Sequence, residues 1–422
     1  MNEEKTRENN DTQTIEQNMP VNNESDSCHI NNTKKKSKTR KVDNYQYDSM
    51  EKIITHGGEI IKVIGVGGGG CNAVSHMMGT DLEKYVELLS ANTDSKALSC
   101  SLGHKMIQLG HALTRGLGAG SEPEIGKKAA MEDREKISAL LKGTDMLFIC
   151  AGMGGGTGTG AAPVVADIAK NLGILTVGVV TKPFVYEGKK RKMIAEQGIE
   201  ELLKSVDSLI VVPNEKLMTE LDNNIEDISM QEAFLEVDNV LCDAMAGITE
   251  IIKQPGIISV DFADVKTVMT GKGFAMMGSA VASGEDRAKM AANKAICCPL
   301  LEESSLEGAK GVLVNISSNG SLKLREYHEI ISVIQELIHP DADFKAGMAE
   351  VPDMDANQIR VTVIATGLKT NGQSYVNNHS DLQNNSLQNI VNSFSNAPKN
   401  NRDELIFDNN PFAQEPFLRK KV

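Results

Sequence analysis

The chain has 422 residues, of which 40% are hydrophobic and 24% are charged, so it is long enough for two or more domains with full cores. Its formal net charge of −13 argues against nonspecific nucleic-acid binding by the folded body, because contact with phosphates needs a basic surface. The seven cysteines have no Cys-x-x-Cys spacing, which weighs against a disulfide framework or a zinc site, and the lack of an apolar leader or a long apolar run predicts a cytoplasmic protein.

The N-terminal part of the chain is polar. Residues 1–58 are rich in Asn, Glu, Ser and Thr and are predicted to form a disordered extension. A basic run at residues 34–41 is more typical of a solvated tail than of a contact with anionic lipid or nucleic acid. The character changes at Ile60: residues 60–66 are predicted to form a strand, and a helix is predicted to start near Cys71, after four glycines.

Strands and helices then alternate, which predicts a parallel sheet covered by helices on both faces. Further strands are predicted at residues 85–91, 105–109, 146–151, 174–180 and 208–212, and helices at residues 121–142 and 189–204. A long amphipathic helix is predicted over residues 228–253 from apolar residues at steps of three and four, namely Phe234, Val237, Leu241, Met245, Ile248 and Ile252. A second domain follows, with strands predicted at 311–317 and 358–366 and helices at 286–297 and 325–338.

The first glycine loop, residues 65–70, matches the G-x-G-x-x-G fingerprint of dinucleotide-binding folds, and Glu87 lies near the spacing that this fingerprint requires. Taken alone, the match would allow an oxidoreductase that uses a nicotinamide or flavin cofactor. It is a weak signal, because a single dinucleotide site leaves the later glycine loops of the chain without a role.

The most informative stretch is the signature loop, residues 154–160, with the sequence Gly-Gly-Gly-Thr-Gly-Thr-Gly. It follows a predicted buried strand and precedes a predicted helix start at Ala161, with Pro163 in the first turn. Such a loop lets backbone N–H groups approach a phosphate, which the helix dipole also favours. A third loop at residues 116–121 precedes another predicted helix, and no loop has the Lys-Ser/Thr ending of a P-loop. Three such loops predict a nucleoside triphosphate held by backbone rather than by a lysine.

Taken together, these residues resemble the FtsZ family, the bacterial relatives of tubulin. The resemblance extends over about residues 60–368 and rests on the three glycine loops, Asn92-Thr93-Asp94, Thr181-Lys182-Pro183-Phe184, residues 260–265 and residues 275–278. It implies a tubulin-like α/β fold, with a Rossmann-like, parallel-sheet GTPase domain (59–227), a long central helix (228–256) and a smaller α+β C-terminal domain with a mixed sheet (257–368). A disordered linker (369–410) and a C-terminal partner-binding peptide (411–422) complete the predicted organisation.

The resemblance also assigns roles in a site for GTP or GDP. Phosphates would be held by Gly68, Gly69, Gly70, Cys71 and Asn72 of the first loop and by Gly156, Thr157 and Gly158 of the signature loop. Glu187 and Arg191 would contact the ribose and phosphates, whereas Asn214 and Asp238 would select guanine. A carboxylate can accept hydrogen bonds from guanine N1–H and its 2-amino group, a donor pair that adenine lacks. Mg²⁺ is expected to accompany the triphosphate.

Asp261 and Asp264 would complete the site from outside, because in the resembled family their loop enters the nucleotide site of the neighbouring subunit. There the two carboxylates would orient the attacking water and help manage the cation. The family usually has Asn two residues before the first of these aspartates, where this chain has Ser259. Serine keeps a donor and an acceptor but is shorter, so we expect slower hydrolysis, which a Ser259→Asn variant should reverse.

The resemblance implies a self-assembling GTPase whose head-to-tail protofilaments form the cytokinetic ring at midcell. The C-terminal peptide resembles the tail by which the family binds FtsA-like or other membrane-tethering adaptors. Two alternatives stay open: a tubulin-like filament protein with negligible hydrolysis, and the dinucleotide oxidoreductase.

Overall fold

The computed structural model describes residues 58–220, 229–254, 256–298, 301 and 306–368. The predicted linker, the C-terminal peptide and the N-terminal extension up to residue 57 lie outside the described residues. The strands within them are β1 (Ile61–Val66), β2 (Glu87–Asn92), β3 (Lys105–Gln108), β4 (Met146–Gly152), β5 (Leu175–Lys182), β6 (Ser208–Pro213), β7 (Gly273–Ser283), β8 (Gly311–Ser318), β9 (Asp343–Glu350) and β10 (Gln358–Thr366). These strands form one sheet in the order β3-β2-β1-β4-β5-β6-β7-β10-β8-β9.

The first six strands form the parallel half of the sheet. Each neighbouring pair, from β3–β2 to β5–β6, is parallel. β1 is buried along its whole length, as expected of a parallel strand covered on both faces. The strand order reverses between β1 and β4, and ligands of open parallel sheets bind beside the carboxyl ends of the strands at such a switch point. The predicted parallel sheet is confirmed, and its switch point lies where the first loop and the signature loop begin.

Helices cover both faces of this half. Those of the described residues are α1 (Gly67–Met77), α2 (Ser95–Cys100), α3 (His111–Thr114), α4 (Pro123–Glu132), α5 (Arg134–Leu141), α6 (Thr157–Asn171), α7 (Lys189–Leu203), α8 (Asn214–Glu220), α9 (Met230–Lys253), α10 (Phe262–Met269), α11 (Arg287–Ile296) and α12 (Leu324–Gln335). α1 and α9 pack in one apolar core, and α4 to α7 pack in the other. Among the helices that the structure describes, none combines the length and apolarity needed to cross a membrane.

The second half of the sheet is mixed. β10 pairs antiparallel with β7 and with β8, whereas β8 and β9 are parallel. α11 and α12 pack against it in a third core. The two halves are continuous, because β6 pairs with β7 over three residue pairs. The smaller mixed sheet is therefore confirmed, but it extends the larger sheet rather than standing apart from it.

The long central helix is α9, which begins two residues after the predicted start. Ser229 caps its N-terminus, and the side chain of Glu232 accepts in return from the Ser229 N–H, a capping box. The predicted buried stripe is confirmed at Val237, Leu241, Met245 and Ile248. Ile252 is only half-buried, and Phe234 is 44% exposed and packs edge-on against Phe184, with ring centroids 5.5 Å apart.

One predicted helix is interrupted in the structure for an identifiable reason. The predicted helix over 121–142 is two helices, α4 and α5, which meet at Asp133. The Asp133 carboxylate is buried and accepts from the Gly110 N–H at 2.7 Å and from Lys136. These contacts hold Asp133 in place, and they interrupt the helix at this residue although residue propensities alone would continue it.

Candidate functional site

The last four residues of the first loop and of the signature loop form the first turns of α1 and α6. The predicted starts at Cys71 and Ala161 are wrong, since α1 begins at Gly67 and α6 at Thr157. A Cβ atom at Gly70 would lie 2.2 Å from the Cys150 carbonyl oxygen, and one at Gly158 would lie 2.7 Å from the Gly152 carbonyl oxygen. Close packing on β4 therefore requires glycine at these two positions, whereas Gly67 and Gly154 have φ angles of 75° and 99°, which favour glycine for its backbone conformation. The N–H groups of each first turn have no partner within their own helix and are available to an anion.

The three glycine loops meet. A Cβ atom at Gly67 would lie 2.7 Å from the Gly158 nitrogen, and one at Gly156 would lie 2.8 Å from the Ala119 Cβ of the third loop. The Thr93 hydroxyl, after β2, lies 2.6 Å from the Thr157 hydroxyl. We call the three loops together the cradle. These loops were predicted to converge at the carboxyl edge of the sheet, and in the structure they do.

One side of the cradle faces open space. Gly68, Gly69 and Asn72 are exposed, and a Cβ atom at Gly68 or Gly155 would meet nothing within 4 Å. Cys71 differs, because its side chain is buried and its thiol donates to the carbonyl oxygens of residues 65 and 91. Burial raises the pKa of this thiol to about 11. Only the backbone of Cys71 could serve a phosphate, and the thiol is not a nucleophile at neutral pH.

Glu187 and Arg191 lie beside the signature loop. Arg191 forms an ion pair with Glu187 at 3.0 Å, and Glu187 also accepts from the Phe184 N–H at 2.9 Å. Arg191 packs against Gly154, where a Cβ atom would lie 2.7 Å from Arg191 Cγ. The structure therefore brings both predicted residues to the edge of the cradle, with the guanidinium half exposed and able to reach an anion.

Asn214 and Asp238 belong to α8 and α9, which pack against each other. Asn214 is 4% exposed, and its Oδ1 has no hydrogen-bond partner among the described residues. A buried amide oxygen without a donor is costly, and an N–H group of a bound base could satisfy it.

Asp238 is half-buried, and burial raises the pKa of its carboxyl group to about 6, an effect that His76 opposes. Its neighbour Asn239 has its Oδ1 2.7 Å from His76 Nε2, which ties α9 to α1. A poorly solvated carboxylate is suited to a ligand that presents a pair of N–H donors. His76 was not among the predicted residues, since nothing in its sequence context distinguishes it from other histidines on a helix.

The acidic residues lie on the other half of the sheet. Asp261 caps α10 and accepts from the Asp264 N–H at 2.7 Å. Asp264 pairs with Lys345 of β9, with Nζ 2.6 Å from Oδ1. α10 packs against β9 and β8. Ser259 is exposed in the same loop, and its effect on hydrolysis stays a prediction. Lys345 was not predicted, because no pattern in the sequence links it to a loop about 80 residues earlier.

The donor set suits a phosphate-bound cation better than a metal held by protein alone. Among the described residues, no group of three or more His, Cys, Asp or Glu side chains could hold a metal ion. Mg²⁺ commonly takes phosphate oxygens and water with only one or two protein carboxylates. A triphosphate in the cradle would therefore supply the ligands that this chain does not cluster.

Comparisons with known proteins agree with this geometry. The model of the Tubulin/FtsZ family GTPase domain matches residues 60–222, and that of the FtsZ family C-terminal domain matches residues 273–369. The chain is 54% identical over 330 residues to the cell division protein FtsZ of Neisseria meningitidis serogroup A, covering 78% of this chain and 82% of that protein. It is 53% identical over 309 residues to the FtsZ of Pseudomonas aeruginosa, covering 73% and 77% of the two chains.

Solved structures share the fold. An empty FtsZ dimer from M. jannaschii has a TM-score of 0.69 at 40% identity and covers 74% of this chain and 89% of its own. The GDP-bound CetZ1 monomer of Haloferax volcanii has a TM-score of 0.64 and covers 74% and 94%, but at 20% identity it supports the fold alone.

Proposed function

Because the chain belongs to the FtsZ family of tubulin-like cell-division GTPases, we propose that it assembles head to tail and hydrolyses GTP where two subunits meet. The cradle of one subunit would bind the triphosphate, and Asp261 and Asp264 of the next subunit would reach it. The family assignment selects a GTPase over the dinucleotide oxidoreductase that the first loop alone allows.

One observation carries the trans arrangement. The cradle is built at the ends of β1 and β4, whereas Asp264 is paired to β9. β4 and β9 are six strands apart in the sheet, and the helix that carries Asp264 lies at the amino edge of the sheet, since the Ser208 hydroxyl at the start of β6 donates to the Met269 carbonyl oxygen at the end of α10, whereas the cradle lies at the carboxyl edge. The two parts of the proposed site would therefore be too far apart in a single chain to act on one phosphate, and a second copy could bring them together.

The chemistry follows from the residues on each side. First-turn N–H groups of α1 and α6 would hold the phosphates, and the Thr157 hydroxyl would add a hydrogen bond. Asp261 and Asp264 would orient the attacking water for in-line displacement, which depends mainly on positioning and electrostatics. Mg²⁺, when bound with the triphosphate, would neutralise charge on its oxygens.

Guanine selection would rest on Asn214 and Asp238. The unpartnered Asn214 oxygen and the half-buried Asp238 carboxylate are both acceptors, and guanine presents N1–H and 2-amino donors where adenine presents neither. Each charged hydrogen bond of this kind is worth about 1.5–3 kcal/mol, enough for strong discrimination.

Exposed apolar side chains support association of copies. Ile257, beside the acidic loop, is 85% exposed, and Val185 and Tyr186, next to Glu187 at the edge of the cradle, are 68% and 60% exposed. Burying such side chains on one copy against those on the next would favour head-to-tail contact. That contact joins two different surfaces, so it propagates into open filaments.

In the cell, we propose that these filaments form the cytokinetic ring at midcell and that the C-terminal peptide, residues 411–422, binds FtsA-like or other membrane-tethering adaptors. An apolar pair, Phe417-Leu418, beside Arg419 and two lysines suits a hydrophobic groove with an acidic rim. Deletion of residues 411–422 should leave assembly intact and abolish capture of an adaptor in a pull-down.

Phosphate release measured over a protein-concentration series tests the proposal. The rate of phosphate release should be near zero below a threshold concentration and should rise linearly with concentration above it, because the site is complete only between copies. Asp264→Asn should bind GTP and sediment as filaments yet release phosphate at least about 100-fold more slowly. Turnover per subunit that is the same at every concentration would mean that one chain holds a complete site. Wild-type filaments without turnover would favour the alternative of negligible hydrolysis.

A further inference from the structure

A lysine pairs with one of the two carboxylates proposed to act in the neighbouring subunit. Lys345 Nζ lies 2.6 Å from Asp264 Oδ1, and both side chains are 37% exposed. The pKa of Lys345 is raised, first by the hydrogen bond and charge of Asp264 and then by Asp261 and Asp343. The ammonium group therefore lies in the field of both carboxylates of the acidic loop.

β9 holds this loop along most of its length. The Met348 N–H donates to the Ile258 carbonyl oxygen at 2.8 Å. A Cβ atom at Gly347 would lie 3.1 Å from Val260 Cγ2, and one at Gly256 would lie 1.5 Å from the Met348 carbonyl oxygen. The backbone of the loop thus lies directly against a strand that is itself fixed in register to β8.

The ion pair extends this support to a side chain. Asp261 Oδ1 already accepts from the Asp264 N–H, so the backbone at Asp264 is fixed, but its carboxylate is free to rotate unless something outside the helix holds it. Lys345 does so from β9. Half-exposed ion pairs add little to folding free energy, so stability alone does not account for this contact.

We propose that Lys345 is a positioning residue for GTP hydrolysis, which holds the Asp264 carboxylate in place as the acidic loop enters the nucleotide site of the next subunit. This inference rests on the proposed function. Lys345 acts through Asp264 and not on the nucleotide. In-line attack is sensitive to misplacement of the order of 1 Å, so a carboxylate released from its partner should orient water less often.

The test compares Lys345→Met, which removes the charge, with Lys345→Arg, which keeps it. Lys272→Met is the matched control, since Lys272 forms a similar pair with Asp343 of the same strand at 3.0 Å but does not pair with the acidic loop. Full-length variants are assayed at saturating GTP for phosphate released per sedimented subunit, and for KM and the threshold concentration.

We expect Lys345→Met to lower kcat per polymerised subunit about tenfold with KM and threshold little changed. Lys345→Arg should restore most of the rate, and Lys272→Met should match wild type. A Lys345→Met filament as fast as wild type, or faster, would overturn the inference, as would an arginine that fails to rescue. If Lys345→Met does not fold by circular dichroism, Lys345→Gln takes its place with the same expectations.

Asp264→Asn in the same assay distinguishes a failure of the proposed function from a failure of the role inferred for Lys345. If Asp264→Asn hydrolyses GTP at the wild-type rate, the proposed function fails and the inference fails with it. If Asp264→Asn is inactive while Lys345→Met is normal, the proposed function stands and only the role of Lys345 is wrong.

Discussion

Asp238 is a residue at which folding and ligand binding make opposite demands. Its carboxyl group is half-buried on α9, and burial raises its pKa to about 6. In the nucleotide-free chain the carboxylate is poorly solvated, so its charge costs free energy of folding. A bound guanine would supply two N–H donors to the same carboxylate, and would turn an unfavourable group into a favourable one.

The change Asp238→Asn should therefore stabilise the empty protein and weaken GTP binding. Because the folded pKa lies above the ordinary value of 3.8, ionisation opposes folding. The penalty is absent below pH 3.8 and fully developed above about pH 6. We expect a gain of about 2 kcal/mol at pH 8, much less at pH 4, and a loss of at least about tenfold in GTP affinity at pH 8.

Urea unfolding of the nucleotide-free chain at both pH values and calorimetric GTP titration measure these effects. Glu201→Gln, at an exposed glutamate whose two lysine partners lie 3.7 and 3.9 Å away, is the control and should change neither. Equal stability of Asp238→Asn and wild type at pH 8 would show that the carboxylate is solvated after all. An unchanged GTP affinity of Asp238→Asn would show that Asp238 does not select guanine.

The residues of the cradle could be predicted from the sequence because the loop motif specifies them by position. Glycines between a buried strand and a helix have few other uses, and the hydroxyl of Thr157 follows from the same loop, whereas Asn72 was assigned only through the family resemblance. Side chains that meet across the fold are different. Lys345 and His76 become visible only when β9 packs against α10, or α9 against α1, and neither contact has a local signature.

At the scale of elements, Glu250 is the main polar link between α9 and the second half of the sheet. One carboxylate oxygen accepts from Asn315 at 3.1 Å and Ser317 at 2.9 Å on β8. The other pairs with Arg360 on β10. The Glu250 side chain is 12% exposed, so a glutamine here would keep one acceptor oxygen but would place an amide NH₂ group against the donors that the other oxygen now serves.

We expect Glu250→Gln to lower the free energy of unfolding by about 2–3 kcal/mol, because Arg360, whose side chain is 25% exposed, loses the carboxylate with which it is paired. The urea midpoint of the full chain is the measurement. Glu201→Gln serves as the exposed comparison and should stay within about 0.5 kcal/mol of wild type. A Glu250→Gln midpoint equal to that of this control would mean that apolar packing alone joins α9 to the sheet.

Elements with strong periodic patterns were predictable, and elements without them were not. The Val- and Ile-rich parallel strands and the apolar stripe of α9 give clear signals. Nine of the eleven residues of β7 are Gly, Ala, Ser or Met, and β9 has Lys and Gly among its residues, so neither carries a strand pattern. Both are held by neighbours: β7 pairs along its length with β10, and β9 with β8. Helix starts inside glycine runs were missed because packing overrides the low helix propensity of glycine.

For the whole molecule, the exposed Ile257 predicts where assembly can be weakened. Burying one isoleucine at a contact is worth about 2 kcal/mol, so Ile257→Ser should raise the threshold concentration for assembly at least about tenfold. GTP affinity should not change, because Ile257 lies outside the cradle of its own subunit. Met106→Ser, at a residue 53% exposed on the edge strand β3, is the control and should assemble as wild type does. The threshold concentration is measured by sedimentation over a concentration series. An unchanged threshold for Ile257→Ser would mean that Ile257 is not part of the contact between copies.

The protein family could be inferred from the sequence, since the spacing of three glycine loops and an acidic loop is specific. The distance between the glycine loops and the acidic loop in the fold could not be inferred. That the acidic loop belongs to the far end of the sheet depends on β6 pairing with β7 and on the strand order beyond it. Such long-range pairings have no local pattern from which they could be read.

The short pairing between β6 and β7 has a mechanical consequence. It consists of three backbone pairs, whereas β7 and β10 share nine. In a head-to-tail filament, force that enters a subunit at its cradle would leave it at its acidic loop, and any part carried by the sheet must cross this pairing. We expect the sheet to be stiffer within each half than between β6 and β7, where the apolar core that both halves share with α9 carries the remaining force. Curvature of a filament would then be taken up inside each subunit as well as at the junctions, so that bending need not break the sites where GTP is hydrolysed.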